Sequence, residues 1–143
     1  MSLPAEEANG RAVTIERYAP RDIDELMAIE VRSFSAPWSR ESYEELWPLE
    51  SVDIWVARLG GGLVGYMLLQ HIGEEMELHT LATSPEMRRR GVARKLLGHM
   101  IDEAKRLGVL RIFLQVRPSN APARALYASL GFLPVGLRRK YYK

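Results

Sequence analysis

The stretch TSPEMRRRGVARKLL, Thr83 to Leu97, is where the chain changes its period. Before it, EMELHTLAT reads as a β-strand. After it, Val92, Leu96, Leu97, Met100, Ile101, Ala104 and Leu107 recur at helical spacing, which predicts a long amphipathic helix ending at Gly108. Between the two lie a proline turn, three arginines and Gly91. A glycine lets the backbone approach a ligand closely, the first N–H groups of a helix have no intrahelical partner, and the helix dipole favours negative charge. The junction therefore suits an anion such as a pyrophosphate. Taken alone, RRRG is also the pattern of a solvated charge run. It is not a P-loop, because no Gly-Lys-Ser/Thr follows, and not a dinucleotide fingerprint, because the glycine spacing is absent.

Upstream of this junction, AVTIERYAP suits a short strand, and RDIDELMAIEVRSF places Ile23, Leu26, Met27, Glu30 and Val31 at helical spacing. Asp22 and Glu25 have the spacing of a capping box. Ser39 is a candidate N-cap for a second short helix carrying Tyr43, Leu46 and Trp47, which Pro48 ends. SVDIWVARL and LVGYMLLQHI, joined through Gly60 to Gly62, read as a tight hairpin, since glycine tolerates the positive φ angles such turns need.

Downstream, VLRIFLQVRP returns to strand, NAPARALYASLG is helical with Pro122 in its first turn, and FLPVGLRRKYYK reads as a final strand and tail. Hairpins mixed with crossover helices predict an α/β (α+β) fold, a mixed sheet flanked by helices. No repeat or linker interrupts the chain, so residues 1–143 are expected to form a single domain, with about 1–11 a flexible N-terminal segment.

Composition narrows the chemistry. In 143 residues, 20 Lys and Arg face 18 Asp and Glu, so the net charge of +2 argues against wholesale nucleic-acid binding. The chain contains no cysteine, which excludes a disulfide scaffold, a thiolate nucleophile and Cys-ligated zinc; its three histidines lack metal-ligand spacing, so no metal is expected. No apolar run approaches the roughly 20 residues that span a bilayer, and the N-terminus lacks the regions of a signal peptide. A soluble cytoplasmic protein with no membrane partner, a monomer or weak homodimer, is the expectation.

Arg88-Arg89-Arg90-Gly91-Val92-Ala93 matches the Arg/Gln-x-x-Gly-x-Gly/Ala motif, and the chain resembles the GNAT superfamily of acetyl-coenzyme A-dependent N-acetyltransferases. Within it, PWS at Pro37 to Ser39, VRPSNAPARALYASLGF at Val116 to Phe132 and RRKYY at Arg138 to Tyr142 resemble the ribosomal-protein-alanine N-acetyltransferases, the RimI group. The resemblance spans nearly the whole chain.

That resemblance implies a splayed sheet whose strand at Leu81, Ala82 and Thr83 offers backbone groups to the pantetheine arm of acetyl-coenzyme A. It implies that Arg88, Arg89, Arg90, Gly91, Val92, Ala93 and Arg94 surround the phosphates. Asn120 would contact the co-substrate, and Tyr127 would sit near the thioester sulfur as general acid. Trp38, Tyr141 and Tyr142 would border an extended N-terminal peptide, with a ribosomal protein as acceptor. Packing alone also explains an aromatic such as Trp38 or Tyr127.

The chemistry needs an amine that has lost its proton, donors for an oxyanion, and a proton for the departing thiolate, with direct attack in a ternary complex. The group carries a glutamate in LEVR, where this sequence has Gln115 in LQVR. A neutral amide cannot act as a general base, so the position holds a water or the amine at most. Proton removal is therefore expected elsewhere: at Glu77 first, or left to solvent, with His79, two residues along the same strand, in reserve. The bland alternatives are a solvated Glu77 and a His79 packed on the sheet.

The group continues past its paired tyrosines into a further strand, whereas this sequence ends at Lys143, so a longer chain or a partner is expected to supply that edge. The alternatives are a small-molecule amine acetyltransferase and a non-catalytic acetyl-coenzyme A-binding module. A weaker idea treats the arginine loop as an RNA-phosphate site.

Overall fold

A computed structural model describes residues 12–88, 90–115 and 121–133. Five strands, β1 (Val13–Arg17), β2 (Val52–Leu59), β3 (Gly62–Ile72), β4 (Glu75–Thr83) and β5 (Arg111–Leu114), form one sheet in sequence order. β1 to β4 are antiparallel neighbours and β5 is parallel to β4. The helices are α1 (Ile23–Ser33), α2 (Arg40–Leu46), α3 (Val92–Leu107) and α4 (Ala121–Ser129). The final strand expected near the C-terminus falls at residues 134–143, outside the described residues, as does the expected flexible segment at 1–11.

The sheet separates two cores. On one face, Trp55, Ala57, Met67, Leu69, Met76 and Leu78 meet Val92, Leu96, Leu97, Met100 and Ala104 of α3. On the other, Ile54, Val56, Tyr66, Leu68 and Ala82 meet Ile23, Leu26 and Ile29 of α1 and Tyr43 of α2. The two-residue strand period and the 3.6-residue helix period deliver these faces. Gly65 on β3 permits the contact with α3, since a Cβ there would lie 3.0 Å from Val92 Cγ1 and 3.1 Å from the Ala82 carbonyl oxygen.

The local signals hold in most places. Gly60 and Gly61 take φ of 62° and 91° in the β2–β3 turn. Ser39 Oγ accepts the Ser42 N–H at 3.1 Å, and Gly108 closes α3 in the left-handed region. Two readings need correction. Asp22 and Glu25 form no capping box: the Asp22 carboxylate reaches back to the Ala19 N–H and pairs with Arg58, while Glu25 Oε2 accepts the Leu63 N–H. Both side chains are drawn to the sheet, where long-range donors outcompete the local box. Val31 is 56% exposed although it has helical spacing with the core residues of α1; the buried stripe runs through Ile23, Leu26, Ile29 and Glu30 instead. A carboxylate has taken a place on the buried face.

Candidate active site

Strand β4 organises the site. Leu68 pairs with Thr80 and Leu69 with Leu78, so His79 is an extra residue, a β-bulge. Up to Leu78 the strand also pairs with β5; past the bulge no partner lies on that side among the described residues. Among the described residues the edge from Thr80 to Thr83 has no neighbouring strand on that side, and the chain then runs through the short 3₁₀ turn at Pro85–Met87 into α3. The bulge also resets which residues face which core. Met76, Leu78 and Leu81 pack towards α3, and Ala82 packs with α1.

At the far end of that edge, Gly91 is the N-cap of α3 with φ of 83°, and no side chain caps it. Gly91 therefore supplies no side-chain acceptor to the first-turn N–H groups. A Cβ built on Gly91 would meet nothing within 4 Å, so the approach is open. Arg88, Arg90 and Arg94 are exposed around this terminus, and Arg94 donates to Ser129 Oγ at 2.9 Å, tying α3 to α4. Val92, expected at the phosphates, has its side chain in the core, which leaves only its backbone for a ligand. A strand edge with no neighbouring strand on that side among the described residues, a helix start at Gly91 and exposed guanidinium groups fit a long, polar, phosphorylated molecule. Arg89, Asn120, Tyr141 and Tyr142 lie outside the described residues.

On the α1 side of β4 a cavity of about 210 Å³ is lined by Phe34, Ala36, Trp38, Glu30, His79 and Thr80 among others. Trp38 stands on its wall, and its ring is 5.5 Å from that of Tyr43. The segment carrying Trp38 is anchored by a residue to which sequence reading gave no role. Glu30, 2% exposed, accepts the Trp38 N–H at 2.8 Å on Oε2. Its Oε1 accepts the hydroxyls of Tyr43, at 2.7 Å, and of Tyr66. Burial and then the bond to Glu30 push the Tyr43 phenol far above its usual range; burial, then Tyr43 and Glu30, do the same for Tyr66. Both stay O–H donors. The only sequence signal was a glutamate in register with an apolar stripe.

Glu77 is buried, 5% exposed, contrary to the solvated alternative. Its Oε1 has no hydrogen-bond partner among the described residues and lies 3.7 Å from His79 Nε2. That imidazole nitrogen is also 2.9 Å from Gln70 Oε1, and Gln70 Nε2 donates to Ser51 Oγ at 3.2 Å. Gln115 is exposed, one residue past the end of β5 and thus at the mouth of the splay. Tyr127, on α4, packs against the α3-side core with its ring 6.3 Å from that of Phe132, and burial raises its phenol above the ordinary value. The two expected proton-handling groups therefore belong to opposite faces of the sheet, which communicate where β4 and β5 part.

This arrangement has known counterparts. The acetyltransferase (GNAT) family pattern matches residues 23–132. The ribosomal protein bS18-alanine N-acetyltransferase of Escherichia coli K12 is 34% identical over 129 residues, 90% of this chain and 86% of that protein. The N-alpha-acetyltransferase RimI of Mycobacterium tuberculosis is 36% identical over 142 residues, covering 95% and 88%. The crystal structure of the ribosomal-protein-S18-alanine N-acetyltransferase from Escherichia coli superposes with a TM-score of 0.83 at 34% identity, covering 91% of this chain and 83% of that one. Among the described residues, no helix is long and apolar enough to cross a membrane. By the family pattern over most of its length and by identity along nearly all of it, the chain belongs to the acetyltransferase (GNAT) family.

Proposed function

We propose that the chain is a cytoplasmic N-acetyltransferase, a single catalytic domain that moves acetyl from acetyl-coenzyme A to the α-amine of a protein N-terminus, with a ribosomal protein as acceptor. The observation that carries this reading is the edge of β4 past Leu78, which has no neighbouring strand on that side among the described residues and leads to the start of α3 at Gly91. The α-amine is supported by both named relatives, and the ribosomal acceptor by the Escherichia coli one, which is 34% identical over 90% of the chain.

In this reading Leu81, Ala82 and Thr83 bind the pantetheine arm through their backbone. The exposed arginines and the first N–H groups of α3 hold the phosphates. A donor aimed at a developing oxyanion in a site shielded from water lowers the barrier most, and the backbone of the splayed strand supplies such donors. Tyr127 gives its proton to the departing thiolate, a role that a phenol kept neutral by burial suits. The acceptor peptide enters past Trp38. Its amine is relieved of a proton on the β4 side, at the Glu77 and His79 pair, because Gln115 has no basic group.

The test is to mix the protein with acetyl-coenzyme A and a panel of N-terminal peptides, including one that begins with alanine, and to follow thiol release and peptide mass. Acetylation of the α-amine is expected. If no peptide gains acetyl while a small amine does, the acceptor reading is lost.

A further inference from the structure

We propose that His79 Nδ1 is the atom that takes the proton from the acceptor amine, and that Glu77 and Gln70 are positioning residues that hold the imidazole's own proton on Nε2. This rests on the acetyltransferase reading above and deepens it. Glu77 is the stronger candidate from sequence, yet its side chain is buried while His79 lines the cavity beside Trp38 and Thr80.

The tautomer follows from the neighbours of Nε2. One is the Gln70 amide oxygen at 2.9 Å, an acceptor; the other is Glu77 Oε1 at 3.7 Å, a carboxylate oxygen with no other partner among the described residues. A lone pair on Nε2 would face both of these oxygens. A proton there satisfies the first and is attracted by the second. Gln70 Nε2 donates to Ser51 Oγ at 3.2 Å while the amide oxygen faces the ring. Nδ1 is then left as the acceptor. His79 lies on the Glu77 side of β4, the bulge sets Thr80 beside it on the cavity wall, and Glu30, which lines the same cavity, is already satisfied by Trp38, Tyr43 and Tyr66.

The step balances without any further reactant. The ammonium gives one proton to Nδ1, and the freed lone pair forms the N–C bond as the C–S bond breaks. The thiolate takes a proton from Tyr127, which is restored by the second proton leaving the nitrogen. His79 releases its proton to water through the open cavity. One amide, one thiol and one proton result.

The experiment compares wild type, His79→Ala, Glu77→Gln and Gln70→Leu on an N-terminal peptide at pH 7, with calorimetric acetyl-coenzyme A binding as the control for folding. An α-amine ordinarily titrates near about 7.7–8.0, so about a tenth is already neutral at pH 7. The loss in kcat for His79→Ala is therefore expected at the low end of general-base effects, about 100-fold, with both KM values and co-substrate binding unchanged. Added imidazole restores much of it, and the deficit shrinks at pH 9. Glu77→Gln and Gln70→Leu lose less, about tenfold, and imidazole does not help them. A His79→Ala enzyme that keeps its rate, or a Glu77→Gln loss deeper than that of His79→Ala, overturns this inference alone. A wild type that acetylates no N-terminal peptide overturns the acceptor reading and this inference with it.

Discussion

Replacing Tyr66 by phenylalanine probes the buried junction at Glu30. The ring stays, so its edge contact with Tyr43 at 6.3 Å and its volume are kept; only the donor to Glu30 Oε1 is lost. Tyr66 is fully buried, so no water can take the vacated place. A hydrogen bond to a charged group is worth about 1.5–3 kcal/mol, so a loss of about 2 kcal/mol is expected, and the same for Tyr43→Phe. For a chain of this size each should lower Tm by roughly 4–8 °C. Both hydroxyls serve one oxygen, and each weakens the other. Removing one tightens the survivor, so the double variant should lose more than the two singles together, by about 1 kcal/mol. Urea unfolding of the four proteins, with m unchanged, measures the cycle. Because Glu30 also holds the Trp38 N–H, the peptide KM should rise while the acetyl-coenzyme A KM does not. Additivity within about 0.3–0.5 kcal/mol would refute the shared-acceptor argument.

Gly65→Ala forces a methyl to 3.0 Å from Val92 Cγ1 and 3.1 Å from a backbone oxygen; a loss of about 1–3 kcal/mol and weaker coenzyme A binding are expected, because the start of α3 must shift. Tyr127→Phe should lower kcat about 100-fold with little change in KM. Since burial raises this phenol above 10.0, its O–H survives throughout the neutral range, and the alkaline fall in wild-type kcat due to Tyr127 should have its midpoint above pH 10. An alkaline limb below that pH that vanishes in the phenylalanine variant would contradict it. Gln115→Glu, at an exposed position, should leave activity intact or raise it; a sharp loss in peptide turnover would show that the amide itself is required.

Much of the fold was legible because its signals are local. The α3 stripe, the glycine hairpin, the Ser39 cap and the Gly108 stop each depend on residues within a few positions of one another. The misreadings share one cause. Asp22 and Glu25 have the spacing of a local capping box and Glu30 only the register of an apolar stripe, yet each is bound to a residue on another element: Arg58, Leu63 and Tyr66.

The site divides the same way. Sequence by itself placed the arginine loop and Gly91 immediately before a long helix, because those signals are local, and set beside the group it resembles it shows Gln115 where that group carries a glutamate. Only the tertiary structure decided which groups surround His79. A one-residue bulge brings Thr80 to the same side as His79, and the contacts from Ser51 through Gln70 to His79 and Glu77 join three segments that meet only once the sheet is assembled. Periodicity sees neighbours along a helix or strand; hydrogen bonds across a sheet depend on register, which a single extra residue resets.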